Sequence, residues 1–254
     1  MLSALRRHPV PMRTTFGHSL VLTYAVPPSV AAELVPPSLR LDTLIDEAGT
    51  EHAFIAVAVV QTQRLRPAFL PPALGFTLPM TGYRVFTRFR TAEGRTLRGL
   101  RILRSDTGSR VLALGGNLLT HYGYTLGDLD VSERDDVLHV RVDSADGRAD
   151  LLLRADLRSA PAPLPAGSPF DGPQQARRWA GPLRHTFESD PAGTVVITAT
   201  RSVWEPRPVA VEVDRIGFFD FGPLADCTPV LAQAFHVHGV DYGWQRGVLH
   251  RAPQ

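Results

Sequence analysis

The chain has 254 residues, 44% hydrophobic and 20% charged, enough for a folded core and incompatible with wholesale disorder. Its 27 Lys+Arg positions are all arginine, which excludes a lysine Schiff base, a P-loop lysine and a kinase strand lysine. The net charge of +2, with arginine and acid interspersed, argues against a nucleic-acid partner, and the single cysteine, Cys227, excludes an intrachain disulfide or a multi-cysteine zinc site.

In chain order, residues 1–13 carry arginines without an apolar signal region and read as a loose N-terminal tail. A strand is predicted over 19–24, closed by Pro27-Pro28. Ser29 is placed to cap a short helix as far as Val35, where Pro36-Pro37 stops it. Leu39, Leu41 and Leu44 continue in extended form. Residues 52–62 are apolar on both faces and predict a strand buried on both. The longest apolar run, 53–60, is far short of the roughly 20 residues that span a bilayer, so no membrane partner is expected.

Residues 83–90 alternate: Tyr83, Val85, Thr87 and Phe89 take one face, and Arg84, Phe86, Arg88 and Arg90 the other. Glu93-Gly94-Arg95 turns this strand into another at 97–104. Residues 106–120 follow a helical period with Val111, Leu114 and Leu118 on one side, and Gly123 supplies the stop. Asp128, Asp130, Glu133, Asp135 and Asp136 read as a solvated loop. A second hairpin joins 137–143 to 150–156 through Asp146-Gly147. The stretch 159–173 is a Pro/Ala-rich loop. Strands follow at 185–189, 195–203 and 209–213, then a helix over 228–235 with Thr228 as cap and Pro229 in the first turn, then a last strand over 237–244.

Hairpin connections and many strands imply a mainly β (α+β) fold with an antiparallel sheet that curls into a barrel or two layers, one domain spanning 1–254.

The chain lacks GxSxG, HExxH, GxGxxG and CxxC patterns, each of which would carry its own chemistry. His236 and His238 share one strand face and could share a metal, but no third ligand stands nearby, so a polar strand edge is the expectation and neither metal nor cofactor is expected. Cys227 has no basic activator in sequence and reads as a small packing residue in a reducing, cytoplasmic setting. Arg88 and Arg90 read as solubilising charge. An inward Arg84 would demand a carboxylate or phosphate, or an internal acid.

Several segments resemble a known family. Residues 19–42, with Val26-Pro27-Pro28 and Leu34-Val35-Pro36-Pro37 before Leu41-Asp42, look like the opening of the YqjF-like bacterial proteins of unknown function. Tyr83-Arg84, residues 115–124, 180–187, Arg201-Ser202-Val203-Trp204-Glu205-Pro206 and 240–247 resemble its later segments. That family is similar to acetoacetate decarboxylase in fold, and the resemblance implies a cone-shaped antiparallel β-barrel around a central pocket. The decarboxylase lysine would fall at about Tyr124, in His121-Tyr122-Gly123-Tyr124, and the acid that precedes the arginine in the YqjF-like pattern is replaced within Pro79-Met80-Thr81-Gly82.

The resulting expectation is a β-barrel pocket that binds a small organic acid, with Arg84 on the carboxylate and Asn117, His121 and Tyr124 donating hydrogen bonds. The alternative is a lysine-independent lyase or isomerase acting on a keto acid, with Arg84 and a Tyr or His donor at the developing enolate and His121 or Tyr124 as candidate catalytic groups. A homo-oligomer is compatible with either.

Overall fold

The computed structural model describes residues 2–158 and 161–251. α1 (Leu2–Leu5) leads into the long strand β1 (Met12–Val26), which Pro27 ends. α2 (Pro28–Ala32) starts on proline rather than on a Ser29 cap, and β2 (Arg40–Leu41) and β3 (Leu44–Ile45) are short edge pieces. β4 (Glu51–Pro67), β5 (Phe76–Arg90) and β6 (Thr96–Thr107) form a meander, and α3 (Arg110–Leu119) crosses from it to β7 (Tyr124–Arg134). β8 (Val137–Ser144) and β9 (Leu151–Asp156) make the predicted hairpin on Asp146-Gly147. After α4 (Pro173–Arg177) come β10 (His185–Asp190), β11 (Gly193–Arg201), β12 (Arg207–Pro208), β13 (Ala210–Ile216), β14 (Val230–Trp244) and β15 (Val248–Arg251).

The pairing path β6-β10-β11-β14-β1-β4-β5 returns to β6 through the β5–β6 hairpin, so the sheet closes on itself. From β6 the sheet also continues through β7, β8, β9 and β13, which fold over the outside of the ring. The pairing is antiparallel except where β6 meets β7 and β10.

Two cores explain why the ring strands are apolar on both faces. In β4, Ala53, Ile55, Val57 and Val59 face outward onto Leu138, Val140 and Leu151 of the covering layer. Phe54, Ala56, Ala58 and Val60 face into the ring, where Phe54 packs on Phe86, Phe170 and Trp179. At about 25 cal/mol per Å² of apolar surface removed from water, this two-sided burial is the main force behind closure.

The structure corrects the sequence reading at several places. Residues 6–13 are packed, not a loose tail: His8 is buried and its N–H bonds the Leu119 carbonyl, while Arg7 forks onto the carboxylate of buried Asp190 at 2.9 and 3.0 Å. Residues 228–235 are no helix. From Val230 they form the start of β14, because β1 offers them a ladder that runs from Ala25 back to Met12. Residues 124–134 are no solvated loop but β7, with Leu129 and Val131 packed on the outer core and Asp128 and Asp130 paired in register with Asp143 and Arg141. The Pro/Ala-rich stretch contains Ser159 and Ala160, which lie outside the described residues; beyond them it lies on the ring, with Ser168 Oγ donating to the Ala232 carbonyl at 2.7 Å.

The apolar stripe of α3 runs opposite to the usual arrangement. Val111, Leu114 and Leu118 are 69%, 75% and 48% exposed, and Ala113 is the helix's buried residue. Helical spacing identified one face correctly, but that face points to solvent.

Candidate functional site

A cavity of about 290 Å³ lies inside the ring. Its wall is mostly apolar, with Phe16, Val60, Leu100, Ile102 and Trp244 among the side chains that form it. Phe69, Phe76 and Val111 both line it and stand exposed, so the mouth lies between the segment 65–76, α3 and the N-terminal segment that contributes His8.

Arg84 reaches this cavity from β5. Strand alternation sends Arg84 and Phe86 inward while Tyr83 and Val85 face the outer core. The neighbour across the ladder, Ala56, is small, and Gly82 two residues earlier carries no side chain. A Cβ on Gly82 would lie 3.1 Å from Nε and from one Nη of Arg84, so the guanidinium occupies the space this glycine leaves. Arg84 is enclosed by protein yet retains accessible surface, and that surface faces the cavity. Its buried Nε has no hydrogen-bond partner, and no carboxylate among the described residues pairs with it. Burial lowers its affinity for the proton, offset in part by Tyr242, Tyr122 and Tyr124. Arg88 instead bonds the buried carboxylate of Asp42, which it shares with Arg98, and Arg90 is exposed.

Tyr124 is placed by a helix–turn–strand unit. Gly123 takes φ +60° in the turn after α3, which favours glycine. Asn117 then clamps Tyr124 by both backbone groups: its Nδ2 donates to the carbonyl and its Oδ1 accepts the N–H, each at 2.8 Å. A Cβ on Gly116 would run into the Tyr124 ring. Gly116→Ala is therefore expected to cost about 1–3 kcal/mol through overpacking and to lower the melting temperature by several degrees, as read by thermal denaturation.

Arg84 and Tyr124 thus meet on the cavity wall, joined by Tyr122 and Tyr242. Asn117 and His121, expected as ligand donors, are not among the residues that line it. Asn117 spends its amide on the Tyr124 backbone, and His121 gives its N–H to Glu188 Oε2 at 3.2 Å while its ring Nε2 is buried without a partner. Burial, then the nearby Arg6, keeps the His121 imidazole less basic than usual.

Tyr122, Tyr242 and Glu188 escaped the sequence reading. Tyr122 is buried and its hydroxyl has no partner. Burial pushes the phenols of Tyr122 and Tyr124 above their usual range and Tyr242 up to about 12, so all three are neutral donors. Glu188 shares a strand face with the cavity residue Thr186; burial pushes its carboxyl up to about 8, against opposing pulls from the His121 N–H and Arg101, and its Oε1 has no partner. The period-2 Tyr122-Gly123-Tyr124 and the acid inside the β-rich run 185–190 were the available signals.

His236 and His238 do share a face, and β1 adds His18, whose Nδ1 lies 3.1 Å from His236 Nε2 and whose Nε2 lies 3.4 Å from Glu133. Among the described residues, no group of three or more His, Cys, Asp or Glu is arranged to hold a metal ion. Burial, and then His18 and His238, hold His236 down at about 4. No helix among them is long and apolar enough to cross a membrane.

A closed, mostly antiparallel ring with an outer layer and a central cavity is the acetoacetate decarboxylase-like fold. An acetoacetate decarboxylase from Legionella pneumophila matches with a TM-score of 0.62 at 13% identity, over 95% of this chain and 87% of that one. An acetoacetate decarboxylase-like enzyme from Sphingomonas wittichii matches with 0.60 at 12% identity, over 97% and 94%. The enduracididine biosynthesis enzyme MppR complexed with pyruvate matches with 0.54 at 15% identity, over 95% and 90%. At such identities these likenesses establish the fold alone. No curated protein matches the sequence significantly. Residues 13–232 match the DUF2071 family, described as an uncharacterized conserved protein (COG2071), and the chain belongs to that family.

Proposed function

We propose that the ring cavity binds a small organic acid, with Arg84 taking the carboxylate and Tyr122, Tyr124 and Tyr242 donating hydrogen bonds. The observation that carries this reading is a guanidinium enclosed in a mostly apolar cavity, whose Nε has no partner and with which no carboxylate among the described residues pairs. A buried cation is costly without a counter-ion, and a charge-assisted fork onto a carboxylate recovers that cost. Two of the side chains first expected around the ligand, Asn117 and His121, are replaced in this reading by Tyr122 and Tyr242.

The reading is tested by thermal shift against small carboxylates. Hexanoate is expected to raise the melting point of the natural chain, and Gly82→Ala, which pushes a methyl against the guanidinium, is expected to weaken hexanoate about tenfold while shifting stability by less than about 1 kcal/mol. A panel in which no acid raises the melting point removes the proposal.

A second reading is a lysine-free lyase or isomerase acting on a keto acid. It is favoured by Glu188, a carboxyl of raised pKa beside Tyr122 that could exchange a proton near neutral pH. With no lysine in the sequence, the enolate would be held by Arg84 and a tyrosine, with no imine to act as electron sink. Borohydride treatment in the presence of a keto acid is expected to leave no adduct, and turnover that survives Arg84→Ala would end this reading.

A further inference from the structure

We infer that the acid this cavity selects is a monocarboxylate with an apolar chain, such as a medium-chain fatty acid, rather than a short hydrophilic keto acid. The inference rests on the proposed carboxylate role of Arg84 and asks what the rest of the cavity would recognise.

The polar groups on the wall are Arg84, the three tyrosines, His8 and the hydroxyls of Ser19, Thr62, Thr81, Ser105, Thr120 and Thr186; Arg84 is the one Arg, Asp or Glu among them, and most of the wall is hydrocarbon. Around these groups the wall is built from Phe16, Val60, Leu65, Leu100, Ile102 and Trp244. A ligand with a second carboxylate or several hydroxyls would leave those groups against hydrocarbon, unpaired. A hydrocarbon chain loses nothing there and gains about fourfold in affinity for each methylene removed from water.

The apolar wall does not stop at the mouth. Phe69, Phe76 and Val111 carry it to the surface, where Leu114 and Leu118 continue the exposed stripe of α3 from Val111. A chain that outgrows the cavity therefore keeps apolar contact as it emerges. This also gives the outward stripe of α3 a use, which the core does not.

Charge around the opening favours an anion. Residues 2–13, 63–78 and 108–120 contain no Asp or Glu, and carry Arg6, Arg7, Arg13, Arg64, Arg66 and Arg110. Of these arginines, Arg7 is ion-paired, with Asp190. An opening formed by acid-free, arginine-bearing segments and bare hydrocarbon suits an amphiphilic anion entering head first.

The test is calorimetric titration with butanoate, hexanoate and octanoate, with pyruvate and octan-1-ol as controls, all below micelle-forming concentrations. Affinity is expected to rise about fourfold per methylene from butanoate to octanoate, with octan-1-ol and pyruvate each at least tenfold weaker than octanoate. Gly115 lines the cavity and a Cβ there meets no atom within 4 Å, so the side chain of Gly115→Leu starts in open space and narrows the channel. That variant is expected to flatten the chain-length slope and leave butanoate unchanged. Pyruvate or butanoate binding as tightly as octanoate overturns this inference and leaves the carboxylate role of Arg84 standing. Octan-1-ol matching octanoate removes the carboxylate role itself, and binding by none of the acids removes both.

Discussion

Arg84→Met is expected to move binding and stability in opposite directions. Carboxylate affinity, followed by titration with octanoate, should fall by two to three orders of magnitude, about 3–4 kcal/mol, because the charge-assisted fork is lost. The melting temperature should rise by a few degrees. The guanidinium is enclosed, its Nε has no partner and no acid among the described residues pairs with it, so the folded chain carries a desolvation cost that methionine does not. The cavity hydrates part of the group, which limits the gain to about 1 kcal/mol, or roughly 2–4 °C in a chain of this size. The control is Arg104, also mostly buried, which bonds both Asp106 and Asp146. Arg104→Met strands the buried carboxylate of Asp106 and should destabilise by about 3 kcal/mol. A melting temperature that drops as far for Arg84→Met as for Arg104→Met would make Arg84 a structural residue.

The contrast between these two arginines was invisible in sequence, and its reason is general. Alternation over 83–90 put Arg84 and Phe86 on one face and Tyr83 and Val85 on the other, and both assignments hold. What alternation omits is which face closes inward, because a strand inside a two-layer ring is apolar on both sides and gives no polarity difference to orient it. Residues 52–62 carried that two-sided signal correctly. The helix expected over 228–235 failed because a Thr-Pro start and a short apolar period are local signals, and a neighbouring strand with thirteen registered partners outweighs them. Sequence marks Asn117 as a polar group near the end of α3 but not its direction; its two hydrogen bonds go to the Tyr124 backbone. Tyr242 and Glu188 come from β14 and β10, more than a hundred residues from Arg84, a convergence that only ring closure produces.

Stability is expected to fall as pH rises from 6.5 to 8, and Glu188→Gln should abolish that fall. The Glu188 carboxyl sits at about 8 in the folded chain against an ordinary 4.5, so below 4.5 both states hold its proton and nothing is lost. Between 4.5 and 8 the folded state holds the proton and the unfolded state does not. Stability then declines by up to about 1.4 kcal/mol per pH unit, on the order of 5 kcal/mol in all above 8. His236 has the opposite sign: held at about 4 against 6.5, it leaves stability complete above 6.5 and drains it as pH falls from 6.5 toward 4. The two slopes oppose each other between 4.5 and 6.5, where His8, His18, His121 and His185, also lowered by burial, add to the rising side, so the decline from Glu188 stands alone only above 6.5. Chemical denaturation across pH 4.5–9 separates the contributions. Glu188→Gln, which keeps an oxygen for the His121 N–H, should rise up to 6.5 and then stay level, and a decline persisting in that variant would remove Glu188 as its source. The same ionisation should reach the ligand. A charge on Glu188 appears beside Tyr122, which also neighbours Arg84, so octanoate should bind more weakly at pH 9 than at pH 7 in the natural chain and equally well at both in Glu188→Gln.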